Sequence, residues 1–256
     1  MTEGFVVGSE PEARGTPLSA WQGSAKLAAL PATSADLLVP AGCRAVIVAP
    51  HPDDEVLGCG GLMSQLQQLQ RPILLISVTD GTASHPGSSL WPEQRLAHER
   101  PRESAEALRL LGLPDDLQWR RAGLPDGAVA AHLTELETLL LEHLQVTDVV
   151  FTTWSGDGHP DHEATGRACA SACLHSGARL VEFPLWAWHW ATPEDPRVPW
   201  ERARKVLLDP ALLELKRQAA HAFFSQRVGD PGIGLDPVLP DWALARLLQP
   251  FEVVLL

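Results

Sequence analysis

The chain has 256 residues, 45% of them apolar and 20% charged, enough for one large α/β domain with a substantial core or for two small ones. Its formal net charge of −12 argues against a surface that wraps nucleic acid or lies on anionic lipid, although a local Arg or Lys could still receive an anionic small molecule. No run approaches the roughly 18 apolar residues of a membrane span. The start MTEGFVVGSEPEARG lacks the basic and apolar blocks of a signal peptide, and Cys43, Cys59, Cys169 and Cys173 show no disulfide or CxxC framework, so a cytoplasmic protein is expected.

Residues 1–40 are rich in Pro, Gly, Ser and Ala, with one short helical stretch around 21–30; they read as an N-terminal extension that packs on the domain or is partly mobile. The domain, 41–256, begins with AVIVAP (45–50), an apolar, β-branched run of the kind found in buried parallel strands. Cys59, Leu62, Met63, Leu66 and Leu69 then recur at helical spacing, and ILLISVT (73–79) is a second buried strand. A loop over 82–92 leads to a helix that reaches Leu111 and stops at Gly112, with Pro101 at its start or at a kink.

A third strand is expected near 117–120, a helix over 130–144 with Leu133, Leu136, Leu140 and Leu144 on one face, and a further buried strand at DVVFTT (148–153). A helix to about residue 175 follows, and FPLWAWHW (183–190) reads as a strand whose alternation puts Trp186, Trp188 and Trp190 on one face, as core packing or as the wall of a pocket. Strand and helix alternating in this way predict a Rossmann-like α/β domain, a mostly parallel sheet with helices on both faces. Ligands in such folds bind at the carboxyl ends of the strands. The two most unusual segments, 50–55 and 155–163, both fall there.

The first is Pro50-His51-Pro52-Asp53-Asp54-Glu55, the second Gly158-His159-Pro160-Asp161-His162-Glu163. An acidic helix start needs only one Asp to cap it. A His, a stiffening Pro and three acids in a row exceed that need. In each loop two donors lie three apart. His51, Asp54 and one His of the second loop would give three protein ligands and leave a position for water, the pattern of a catalytic zinc site. His85, His98, His132, His143, His175, His189 and His221 belong to no such constellation and are expected in surface or structural roles. Gly58, Gly60 and Gly61 do not complete a dinucleotide-binding loop; they let a helix approach the sheet or the substrate.

With PHPDDE after the first strand and HPDH after a later one, the chain resembles the LmbE-like (PIG-L) zinc de-N-acetylases over about residues 44–227. VTDG (78–81), Arg100-x-x-Glu103, Pro125-Asp126-Gly127 and Lys216-x-x-Ala219 leading to Ser225-Gln226 add to the likeness. The resemblance implies one Zn2+ per chain on His51, Asp54 and His162, with Asp53 as general base, a protonated His159 as oxyanion stabiliser and Asp161 orienting His159. Arg100 and Asp126 fall where the family contacts the sugar or its attached group. Some members place a Tyr two residues before HPDH; here that position is Asp157, and the chain has no Tyr.

The function implied is removal of an acetyl or other acyl group from the amine of an N-acetylglucosamine-type conjugate. The tryptophans and the atypical flanking segments also admit a non-sugar or longer-acyl amide, and a non-catalytic metal- or nucleotide-binding protein is a third reading. By analogy with the often multimeric family, a homo-oligomer is expected.

Overall fold

The computed structural model describes residues 15–256. Its centre is one eight-stranded sheet in the order β1-β7-β8-β6-β5-β2-β3-β4, where β1 is Ala32–Thr33, β2 Arg44–Ala49, β3 Ile73–Thr79, β4 Gln118–Leu124, β5 Asp148–Thr153, β6 Arg179–Phe183, β7 Ala203–Leu207 and β8 Phe251–Leu255. Every pairing is parallel except those of β8, which runs antiparallel to both β6 and β7. The helices are α1 Leu18–Gln22, α2 Ala25–Ala29, α3 Ala35–Leu38, α4 Asp54–Gln68, α5 Glu93–Leu110, α6 Leu133–His143, α7 Pro160–Ser176, α8 Ala187–Trp190, α9 Pro210–His221, α10 Phe224–Arg227 and α11 Asp241–Leu247.

The central strands are buried on both sides, which explains their unbroken apolar runs. Side chains still alternate: Ala45 and Ile47 of β2 join a larger core with α4, α5 and α9, whereas Val46 and Val48 join a smaller one under α6 and α7. The described part of the first forty residues packs on the larger core. There Trp21 meets Trp188 with ring centroids 4.7 Å apart, and β1 adds a parallel edge strand to β7. Gly58 of α4 faces Phe183 of β6; a Cβ at that glycine would lie 2.3 Å from the ring, so only glycine lets the helix sit this close.

From β2 the chain moves outward through β3 to β4, then returns to build β5 and β6 on the other side of β2. The crevice between the carboxyl ends of β2 and β5 is therefore the topological switch point, where open α/β sheets bind ligands. Thr79, ending β3, donates through both N–H (3.0 Å) and Oγ1 (2.9 Å) to Pro50 O and ties the first loop to its neighbour.

Three local readings change. The third strand is longer than expected, Gln118–Leu124. α5 is continuous from Glu93 to Leu110, so Pro101 lies inside it and not at its start. The tryptophan segment is no strand: β6 ends at Phe183 and Ala187–Trp190 forms a helical turn. With the helical repeat, Trp186 stays 43% exposed while Trp188 is buried in the core, so the tryptophans do not share one face.

Candidate active site

The two motif loops, more than a hundred residues apart in the chain, meet at the switch point. Their meeting place is one oxygen, Asp54 Oδ2. His51 Nδ1 lies 3.2 Å from it, His162 Nε2 lies 3.4 Å from it, and the His51 N–H donates to it at 2.9 Å. Four-coordinate zinc with ligand bonds of about 2.0–2.1 Å sets neighbouring donors roughly 3.3 Å apart. The two spacings to Asp54 Oδ2 match that figure.

The outer nitrogens strengthen the fit, because metal-ligating histidines hand their second ring nitrogen to a carboxylate or carbonyl. His162 Nδ1 is 2.7 Å from Asp157 Oδ2. His51 Nε2 is 3.1 Å from Asp161 Oδ2 and 3.3 Å from Asp126 Oδ1. Both rings are thereby oriented with one nitrogen free for an ion. His51, His159 and His162, and also His51, Asp126 and Asp161, are donor groups close enough to hold a metal.

Asp157 occupies the position where some relatives of the resembled family carry Tyr. Its carboxylate is fully buried and also accepts the N–H groups of Leu185 (2.9 Å), Trp186 (2.8 Å) and Ala187 (3.0 Å). It therefore backs His162 and shapes the turn that presents Trp186.

Asp161 departs from the expected role. Its carboxylate serves His51 and accepts the N–H groups of Gly127 (2.7 Å) and Val129 (3.1 Å). It reaches His159 through the main chain alone: the Asp161 N–H donates to His159 Nδ1 at 3.3 Å, making His159 the cap of α7. An accepting Nδ1 carries no proton, so His159 here is neutral with its proton on Nε2. Burial, followed by the nearby charges of His162 and His51, agrees with that by lowering its pKa to about 4. This capping geometry favours a neutral His159 donating through Nε2 over the protonated ring expected from the sequence.

Asp53 is buried with φ 115 and ψ −30, a backbone region that a residue with a side chain rarely adopts. Its N–H is held by Glu55 Oε2 at 3.0 Å, and the Gln226 side chain donates to the preceding Pro52 O. Burial, with the charges of Asp54 and Glu55, raises its pKa well above the usual carboxylate range. Arg100, buried on the inner face of α5, donates to Ser84 Oγ at 2.8 Å. Its guanidinium fills the space beside Gly81, where a Cβ would come within 1.9 Å of Nη1, so that position admits no side chain.

His51, Asp53, Asp54, His159, His162, Arg100 and Gln226 line a cavity of 320 Å³, within the roughly 300–1,000 Å³ typical of small-molecule sites. Arg100, Ser84 and Asp126 form its polar end; Leu57, Leu185, Trp186, Val238, Leu239 and Leu247 form an apolar wall. His189, read from the sequence as structural or exposed, is also on this wall, its Nδ1 2.9 Å from Arg246 Nη1. Burial and Arg246 lower its pKa to about 4. Its place among the tryptophans was the one hint of this in the sequence, whereas Gln226 sits in the Ser225-Gln226 pair that the sequence singles out.

The carboxylates of Asp126, Asp161 and Asp54 outweigh burial and raise His51 well above its ordinary value, and Asp54 and Asp157 likewise raise His162 to about 9. An entering ion must displace those protons. Metal affinity is therefore expected to rise with pH from 7 to 9, with proton release on binding. Calorimetry in buffers of different ionisation enthalpy would measure the release, and a pH-independent affinity would contradict this arrangement.

A parallel sheet with paired histidines and carboxylates at its switch point defines the class: an α/β protein with a candidate metal centre in a small-molecule cleft. The chain belongs to the PIG-L, or GlcNAc-PI de-N-acetylase, family, whose sequence model matches residues 46–173. It is similar to the 1D-myo-inositol 2-acetamido-2-deoxy-alpha-D-glucopyranoside deacetylases of Corynebacterium efficiens (27% identical, covering 47% of this chain and 46% of that protein) and Kribbella flavida (24%, covering 81% and 74%). The chain spans about half the length of several curated relatives it matches. Among solved structures, a deacetylase of the teicoplanin biosynthesis pathway shares the fold, with a TM-score of 0.63 at 19% identity over 83% of this chain and 96% of that one.

Proposed function

We propose that the chain is a zinc-dependent deacetylase, with one ion held by His51, Asp54 and His162, that removes an acetyl group from the amine of an N-acetylglucosamine-type conjugate. One observation carries the proposal: Asp54 Oδ2 and the two ring nitrogens beside it share a cavity with two chemically competent groups, Asp53 and His159, that a merely structural ion would not need. Family membership and the deacetylase activities named for the relatives support it.

Bound zinc supplies Lewis acidity and lowers the pKa of a coordinated water toward roughly 7. Asp53, whose pKa burial and the charges of Asp54 and Glu55 raise, accepts a proton from the attacking water. His159 offers its Nε2–H to the carbonyl oxygen as negative charge develops there. Asp157 and Asp161 keep the two ligand imidazoles in their tautomers. Arg100 and Asp126 hold hydroxyl or carbonyl groups of the substrate at the polar end. No helix among the described residues is long and apolar enough to cross a membrane, and the four free cysteines suit a reducing cytoplasm.

The apolar wall favours a second substrate choice with the same chemistry, an amide bearing a longer acyl chain. The test is metal analysis of purified protein together with release of free amine from N-acetyl and N-octanoyl glucosaminides. Amine from the acetyl substrates supports the leading reading, and amine from the octanoyl ones alone supports the second. One equivalent of zinc with no amine from either leaves a metal-binding protein and ends the proposal.

A further inference from the structure

Helix α4 is broken. At Cys59 the backbone turns to φ −146 and ψ 24, well outside helical values, which leaves Asp54–Gly58 as a short first segment. In an unbroken helix the Gly61 N–H would bond to the Leu57 carbonyl, four residues back. Each of these groups instead has another partner. Gly61 N–H donates to Glu252 Oε1 at 2.7 Å, and Leu62 N–H donates to Glu252 Oε2 at 2.8 Å. The Leu57 carbonyl accepts from Lys216 Nζ at 2.8 Å, and Lys216 Nζ meets Glu252 Oε1 at 2.7 Å.

A buried ion pair is thus inserted where a helical hydrogen bond belongs. Glu252, from β8, caps the start of the second segment; Lys216, from α9, caps the end of the first. Both side chains are buried, so neither serves solvent or substrate. Gly61 has no room for a side chain, since a Cβ would lie 2.4 Å from Leu208 and 3.2 Å from Glu252 Oε1.

We infer that Lys216 and Glu252 are positioning residues that hold the break in α4 and thereby aim the Asp53–Asp54 turn at His51 and His162. A five-residue segment has too few hydrogen bonds to keep a direction of its own. Replacing a buried ion pair with apolar groups of similar size is often neutral or stabilising. Stability and positioning therefore come apart in experiment.

The test is the double variant Lys216→Met, Glu252→Met, which removes both charges and keeps bulk. Its crystal structure is expected to show Gly61 N bonded to Leu57 O and Asp54 displaced, with a cooperative melt retained. Its affinity for Co2+, measured by competition with a chromophoric chelator, is expected to fall at least tenfold with an altered visible spectrum. A break that persists with Asp54 in place, or unchanged cobalt affinity and spectrum, overturns the inference. If the double variant does not fold, Glu252→Gln carries the same readouts; it is expected to melt lower, because Lys216 is left unpaired, so cobalt is measured well below its melting transition, with weaker cobalt in the folded protein supporting the role and unchanged cobalt refuting it. The cobalt readout rests on the proposed function. A parent chain that binds no cobalt would sink that function, while the crystal structure would still decide whether the ion pair holds the break.

Discussion

Asp53→Asn is expected to keep one equivalent of metal per chain and to release amine about 10²–10⁴-fold more slowly than the parent, the range for loss of a positioned general base. The carboxylate is next to the ligand turn but is not among the donors facing Asp54 Oδ2, so metal binding and turnover separate at this residue. Substitution should also steady the metal-free protein, because the parent holds a desolvated acid beside Asp54 and Glu55 on a strained backbone. Asp53→Gly removes the backbone strain as well, a gain of roughly 1–3 kcal/mol readable in a metal-free melt. An Asp53→Asn protein that turned over at the parental rate would remove Asp53 from the chemistry.

His162→Ala should lose both metal and turnover. It deletes one of three donors and leaves the buried Asp157 carboxylate without its ring partner. The expected loss of affinity exceeds the roughly 10–100-fold seen when only an outer-sphere partner is removed. Asp157→Asn should fall within that smaller range, and the ratio of the two, measured by chelator competition, distinguishes ligand from support. A His162→Ala protein that survived dialysis with a full equivalent of zinc would show that the ion sits elsewhere.

The convergence of the two motif loops was legible because sequence and space coincide for them. His51 and Asp54 follow one buried strand, His159 and His162 follow another, and parallel strands on either side of a switch point bring their carboxyl ends together. Asp157, Asp161 and the tryptophans were harder for separate reasons. Asp157 looked like a missing Tyr, since nothing local says that its carboxylate faces a ring five residues on. For Asp161, a carboxylate two residues from one histidine instead reaches another 110 positions away. Alternating Trp and small residues fit a strand as well as a turn, and the carboxylate of Asp157, by binding three successive N–H groups, decides for the turn. The Lys216–Glu252 pair depends on an antiparallel strand inserted between β6 and β7, a pairing with no local signature.

One carboxylate thus answers to two masters. Asp157 holds the His162 imidazole and, through the Trp186 amide, the rim of the apolar wall. A displacement of the indole would therefore be passed by one side chain to a ring of the proposed metal site.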